Sequence, residues 1–196
     1  MLQLLPAKGE AMKILGIDSG PTKSAWCLWD GEPLEWGEGA PDDLPLLGCV
    51  YAVEQVVSYG QGFDKHLRDT IAVSGAIAYV HGGQDAITGD TDDLVWITRR
   101  EVLQHFGIAG HGVSRDSAVR SAIIDHYGGR DAIRGPAKCA TCKGLGKGGR
   151  GRLRMTCPTC HGSGKGAAAG VLHGVAGDVW SSIAIAMTAD AKLRGQ

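Results

Sequence analysis

Apolar residues fall in short compact runs in the first quarter of the chain and at wider, helical spacing after it. Met12 to Asp18 (MKILGID) is such a run. It is too short for a helix and is closed by Gly20 and Pro21, so it predicts a buried strand over 13–18. Residues 23–30 and Pro33–Gly39 (PLEWGEG) predict two more strands, the third antiparallel. A turn or short helix is expected over 42–47. Gly48–Val53 (GCVYAV) predicts another buried strand, which ends in Glu54 and Gln55. Beyond a loop at 56–62 the period changes. Leu67, Ile71, Ala72, Ala76, Ile77 and Val80 recur as one stripe of a long helix over 64–80. Gly75 in its middle costs about 1 kcal/mol relative to alanine, so close packing is expected there. A polar loop over 82–93, a strand over 94–98, a short helix over 99–106 and a Gly-rich turn over 107–112 follow. A helix then runs from Ser114 to about Tyr127, with Val119, Ile123 and Ile124 inward, and the last helix runs from Asp178 to about Leu193.

This order of strands and helices predicts a mixed α/β domain, and 196 residues suffice for one such domain plus a small module. The net charge of −1 gives no global basic signature, so any nucleic-acid surface has to be local. No run approaches the ~18 apolar residues that span a bilayer, so no membrane association is expected. Residues 1–11 lack a basic start and a full apolar core; they read as an extension ahead of Met12 rather than a signal peptide. Of six cysteines, Cys27 and Cys49 sit in strand-like runs and are expected as buried thiols. The other four form two C-x-x-C pairs. That usage favours a reducing cytoplasm and metal binding over disulfides.

The composition changes between Arg134 and Lys165. This segment holds eight basic residues, Arg134, Lys138, Lys143, Lys147, Arg150, Arg152, Arg154 and Lys165, and no acidic one. It also holds Cys139-Ala-Thr-Cys142 and Cys157-Pro-Thr-Cys160, separated by fourteen residues. Each pair can turn two thiolates towards one ion, and two such turns complete a tetrahedral Zn²⁺ site. One structural zinc would hold together a module too small for its own core. A redox-active C-x-x-C is the competing reading, but two pairs at ribbon spacing are better explained by metal. The basic residues around the pairs read as a phosphate-contacting surface, against the plainer alternative of a solubilising face. Both pairs continue as C-x-x-C-x-G-x-G, through Gly144 and Gly146 and through Gly162 and Gly164. Residues 139–164 thereby resemble half of the cysteine-rich zinc domain of DnaJ-type chaperones, which implies a zinc-bound hairpin and not chaperone activity.

Three acids stand where acids need a reason. Asp18 ends the first strand, where aspartate is disfavoured unless something compensates it. A metal ion or a phosphate would do so; a turn cap through its own backbone is the plainer reading. Glu54 ends the fourth strand. If the two strands lie parallel and adjacent, Asp18 and Glu54 meet at one edge and must share a proton or a divalent cation. The plainer reading is a solvated strand end. Asp178 opens the last helix, a position where aspartate also serves as an ordinary cap.

The order of these acids resembles that of RuvC-type Holliday-junction resolvases of the ribonuclease-H-like superfamily. The resemblance runs through MKILGIDSGPTKSAW, YAVEQVVSYGQG, the Gly75 helix, GHGVSRDSAVRSAII and GDVWSSIAIA. It covers about 12–130 and 170–190, and 131–169 reads as a basic zinc-binding insertion, so the nuclease domain is expected over 12–130 and 170–196. It implies a ribonuclease-H-like five-stranded mixed sheet flanked by helices. It also implies that Asp18, Glu54 and Asp178 bind two Mg²⁺ (or Mn²⁺) ions, one activating a water and the other stabilising the leaving 3′ oxygen. Three positions depart from the family pattern. A fourth acid is usual three residues after the third, and this chain has Ser181, a poorer ligand. The basic residue after the Gly-rich turn is usually Lys and here is Arg115. An aromatic usually follows Glu-Gln-Val directly to probe the junction centre; here Val57 stands there and Tyr59 comes two residues later.

The resemblance further implies a homodimer with the long helix at its interface, suited to a two-fold-symmetric four-way junction, and a bacterial or phage source. The expected function is therefore a Mg²⁺-dependent, structure-selective endonuclease resolving four-way DNA junctions. Two alternatives stay open: a nuclease of the same fold acting on other branched DNA or on RNA–DNA hybrid, and a junction-binding protein without catalysis. GIDSGPTKSAW also resembles the phosphate hairpin of actin-like sugar kinases and ATPases, but 196 residues are too few for the two related domains those enzymes need.

Overall fold

Alternation along the first strand determines how the sheet is covered. In the computed structural model β1 spans Ile14–Asp18. Leu15 and Ile17 join a core cluster with Tyr51, Val53, Ile77 and Ala78 on one face. Ile14, Gly16 and Asp18 share the opposite face, because successive side chains of a strand alternate. The structure describes residues 12–44, 49–57, 64–88, 93–108, 115–139, 143, 147–148, 155–156, 163, 166 and 168–195, with backbone only at 42, 82–88, 147–148 and 155–156.

Strands β2 (Ser24–Trp29) and β3 (Pro33–Gly39) extend the sheet antiparallel to β1. Strand β4 (Val50–Gln55) joins the other side of β1 in parallel, with Ile17 opposite Val53, and β5 (Leu94–Thr98) adds in parallel to β4. The order is β3-β2-β1-β4-β5, the mixed five-stranded sheet flanked by helices that the resemblance implies. Where a turn or short helix is expected over 42–47, a short 3₁₀ helix spans Pro41–Asp43, and 45–47 lie outside the described residues.

Helix α1 (Lys65–Thr88) covers the Leu15 face. It runs on to Thr88, into the stretch expected as a loop over 82–93. Ile77 and Ala78 are buried on it, and the His81 ring stacks on Tyr51 of β4 with centroids 4.1 Å apart, an anchor beyond the expected end. Two expectations for this helix fail. A Cβ at Gly75 would meet nothing within 4 Å, so no close packing accounts for the glycine. The predicted stripe is not the buried one: Ile71 and Val80 are exposed, while Val73, Ser74, Ile77 and Ala78 turn inward.

Helix α2 (Arg99–His105) follows β5 directly and starts on a capping box between Thr98 and Glu101. Helix α3 spans Arg115–His126, with Val119 and Ile123 buried and Ile124 half-buried. Helix α4 (Val179–Arg194) lies against the other sheet face, most of its first three turns buried. Gly16 admits it: a Cβ there would lie 2.3 Å from the Ser182 carbonyl oxygen and 2.8 Å from the Ala186 Cβ. No helix among the described residues is long and apolar enough to cross a membrane.

The chain divides into two compact units, 1–122 with 176–196, and 123–175. The second unit is built on antiparallel arms. Leu172 N–H donates to Ala132 O (2.8 Å), Gly170 N–H to Arg134 O (2.9 Å) and Gly166 N–H to Ala137 O (2.7 Å). Further out, β6 (Lys147–Gly148) pairs antiparallel with β7 (Met155–Thr156). In sequence, Cys139 and Cys142 fall between Ala137 and Lys147, and Cys157 and Cys160 between Thr156 and Gly166.

Candidate active site

Strand pairing sets the centre of the site. The parallel register of β1 and β4 places Glu54 beside Asp18, and their carboxyl groups are hydrogen-bonded to each other. Burial, and then the Glu54 charge, raise the Asp18 carboxyl from 3.8 to about 8; the Asp178 charge adds to the rise and a hydrogen bond donated by the Ser181 hydroxyl opposes it. Asp18 is thus not the turn cap: in the following turn Gly20 N–H donates to the Ser24 hydroxyl at 3.4 Å.

The start of α4 supplies the other acid. Asp178 occupies the N-cap position, but its side chain makes no cap hydrogen bond, so the ordinary capping role is not the one it plays. Its carboxylate lies 3.8 Å from Lys23 Nζ and is largely exposed. Lys23 also bridges Glu38 of β3 at 2.7 Å, and Glu38 accepts a hydrogen bond from the Asp178 backbone N–H at 3.2 Å.

Asp18, Glu54, Asp178 and Ser181 line an open cleft of about 690 Å³. Arg99, Asp116, Arg120 and Trp180 form much of its remaining wall. The Arg99 guanidinium is paired with Asp116, and the Arg120 guanidinium lies over the Trp180 ring, 4.9 Å from its centroid. Both cations are thereby held beside an acidic floor. Arg115, the basic residue singled out by the resemblance, is the exposed first residue of α3 and is not part of this lining.

The donor set at the floor is all oxygen: two carboxyl groups in contact, one hydroxyl, and a third carboxylate within electrostatic reach. That chemistry fits a hard divalent cation such as Mg²⁺ or Mn²⁺. Among the described residues no three His, Cys, Asp or Glu side chains converge on one point as ligands. Asp18 and Glu54 meet, and Asp178 is drawn towards Lys23.

The basic segment is described only in part. Lys138 and Lys143 are exposed, Lys143 with a left-handed backbone (φ 53°), and Cys139 is buried. Tyr59, Cys142, Cys157, Cys160, Arg150, Arg152, Arg154 and Lys165 lie outside the described residues, as does the side chain of Lys147. Cys27 is a buried free thiol, as expected, whereas Cys49 is only half-buried; loss of solvent pushes them up to about 12 and about 11.

Sequence reasoning missed Lys23, Glu38, Arg99 and Arg120. A signal existed for Arg99, since Thr98-x-x-Glu101 is a capping-box pattern that fixes it as the first residue of a helix. Asp116 and Arg120 are four apart and so share a helix face. Nothing in the sequence links Lys23 or Glu38 to Asp178, because that contact depends on how α4 meets the β2–β3 edge.

No protein-family model matches the chain, and no curated protein sequence matches it. Among solved structures it is similar to RuvC of Thermus thermophilus, at 14% identity over 94% of this chain and 97% of that one, with a TM-score of 0.45. It is also similar to T. thermophilus RuvC in complex with a Holliday junction substrate, at 13% identity over 94% and 96%, with a TM-score of 0.47. Likeness of this degree leaves activity open.

Proposed function

We propose that the chain is a divalent-metal-dependent, structure-selective DNA endonuclease that resolves four-way junctions, a step of DNA recombination or repair. The observation that carries the reading is the contact between the Asp18 and Glu54 carboxyl groups on the floor of a cleft walled by Arg99 and Arg120. Two carboxylates in contact repel unless a proton or a cation sits between them. A cleft with acids at its floor and arginines at its wall can hold metal and phosphate together. When bound, Mg²⁺ ions would supply an activated water and neutralise charge developing on the phosphate.

In this reading Asp18 and Glu54 are the inner oxygen ligands and Asp178 completes the set from α4. The Ser181 hydroxyl, where a fourth acid would stand, donates to Asp18 and orients it. Arg99, oriented by Asp116, and Arg120, laid on Trp180, take phosphate oxygens at the rim. The antiparallel arms of 123–175 and their exposed Lys138 and Lys143 support a basic hairpin that contacts the DNA backbone. In the same reading Cys139, Cys142, Cys157 and Cys160 hold its one zinc. Ile71, Tyr79 and Val80, exposed on α1, support a homodimer that presents two sites to a two-fold junction.

A second reading has its own support: Ser181 replaces an acid, and Asp178 is engaged by Lys23. A chain of that kind would bind junctions without cutting them. The deciding experiment offers a four-way junction, linear duplex, Y-shaped DNA and RNA–DNA hybrid with Mg²⁺, with Mn²⁺ and with chelator. Paired symmetric nicks on the junction, dependent on metal and lost in Asp18→Asn while junction binding persists, are the expected result. Tight junction binding with no cleavage in either metal would select the second reading. Preferred cleavage of the hybrid would replace the junction as substrate.

A further inference from the structure

The N-terminus of α4 is capped from a different element. In a capping box the N-cap backbone N–H is taken by an acid three residues further on. Here that position is Ser181, whose hydroxyl is turned to Asp18 instead. The Asp178 N–H goes to Glu38 Oε1 of β3 at 3.2 Å, and Glu38 Oε2 is held by Lys23 Nζ at 2.7 Å. Gly177 makes room for this contact: its φ is +56°, and a Cβ there would lie 2.5 Å from Glu38 Oε1. The Asp178 side chain, relieved of capping, remains directed to other partners.

We propose that Glu38 is a positioning residue for the metal site: by accepting the Asp178 N–H it fixes where α4 presents the Asp178 carboxylate. This rests on the nuclease reading above, in which Asp178 is a metal ligand. The role depends on reach and on an acceptor oxygen, not on charge. Glutamine in place of Glu38 keeps both, aspartate keeps the charge but is one methylene too short, and alanine keeps neither. A residue acting only through charge would give the opposite ranking of glutamine and aspartate.

The test is a titration of the full chain with Mg²⁺, and separately with Ca²⁺, read as the rise in Tm and fitted to an apparent Kd. Wild type, Glu38→Gln, Glu38→Asp, Glu38→Ala and Asp18→Asn are compared, each with its metal-free Tm as the control for folding. Outer residues that orient metal ligands typically change affinity by about 10–100-fold, so Glu38→Ala and Glu38→Asp are expected to weaken binding by about tenfold. Glu38→Gln should stay close to wild type. On the junction, Glu38→Asp should lower kcat with little change in KM. Equal loss in Glu38→Gln and Glu38→Asp, or no loss in Glu38→Ala, would overturn the proposal while leaving the site intact. If wild type gains no Tm from metal, or Asp18→Asn gains as much as wild type, the nuclease reading fails and this proposal with it.

Discussion

The carboxyl groups of Asp18 and Glu54 are hydrogen-bonded to each other across adjacent parallel strands. Burial and the Glu54 charge lift Asp18 from 3.8 to about 8, so the metal-free fold favours its protonated form. Unfolded, Asp18 ionises near its ordinary value. Its contribution to stability is therefore full below about pH 4 and is lost as pH rises towards 8. Asp18→Asn removes the ionisable group and should flatten that slope. In chelator, the Tm of the variant is expected to exceed that of wild type by an amount that grows between pH 5 and pH 8. About 1 kcal/mol moves Tm by roughly 2–4 °C in a chain of this size, so scanning calorimetry across that range would resolve the gap. A constant difference over the whole range would mean that the pair is not strained.

Arg120 tests the phosphate side of the cleft. Its guanidinium is laid on the Trp180 ring, with Asp18 and Asp178 lining the same cleft. If it takes a phosphate oxygen, Arg120→Ala should weaken binding to all junction sequences about equally and reduce the slope of log K against log salt by about 1. Fluorescence anisotropy at several salt concentrations gives both quantities. An unchanged slope would remove Arg120 from the DNA interface.

Much of the sheet was legible because its strands carry local signals. Compact apolar runs closed by Gly20 and Pro21, and by Glu54 and Gln55, mark β1 and β4 to within about two residues. The Asp18–Glu54 contact was legible on the assumption of a parallel pair, which the structure contains. Helix α1 was legible in kind but not in orientation. Its apolar residues are more numerous than the sheet can cover, so periodicity could not separate buried Ile77 from exposed Ile71 and Val80. The Lys23–Glu38–Asp178 contacts were not legible, since they join residues as far apart in the chain as Lys23 and Asp178 through the seating of one helix.

Gly16 carries that seating. A Cβ at this position would press on the Ser182 carbonyl oxygen at 2.3 Å and on the Ala186 nitrogen at 2.8 Å, both backbone atoms of α4. Neither can move without the helix. Gly16→Ala is expected to destabilise the fold by about 1–3 kcal/mol, the usual range for an overfilled core. Because α4 also carries Asp178 and Ser181, its displacement should weaken the metal-dependent rise in Tm as well. Denaturant unfolding with and without Mg²⁺ separates the two effects. A variant as stable as wild type would show that α4 is seated differently.

The exposed face of α1 predicts association. Tyr79 is 57% exposed and Val80 66%. Buried between two copies, such side chains would stabilise a dimer at about 25 cal/mol per Å² of apolar area removed from water. Val80→Glu would place a charge in that contact and should shift the chain to monomer in sedimentation velocity, with its metal-free Tm little changed. A monomeric wild type at micromolar concentration would exclude this face as a stable interface.

Zinc can be tested apart from the nuclease site. Cys139 is buried near the base of the antiparallel arms, where Gly166 N–H donates to Ala137 O at 2.7 Å. A segment rich in glycine and like charge has little apolar core of its own, and a metal is the usual further restraint for so small a module. One Zn²⁺ on four thiolates would supply it. The purified chain should therefore contain one zinc per chain by elemental analysis, and Cys139→Ser should lower that content. In the variant, residues 139–165 should become the first site of proteolysis and junction affinity should fall, while Mg²⁺ still raises the Tm through Asp18 and Glu54. Full zinc content with unchanged affinity would assign the arms to another role.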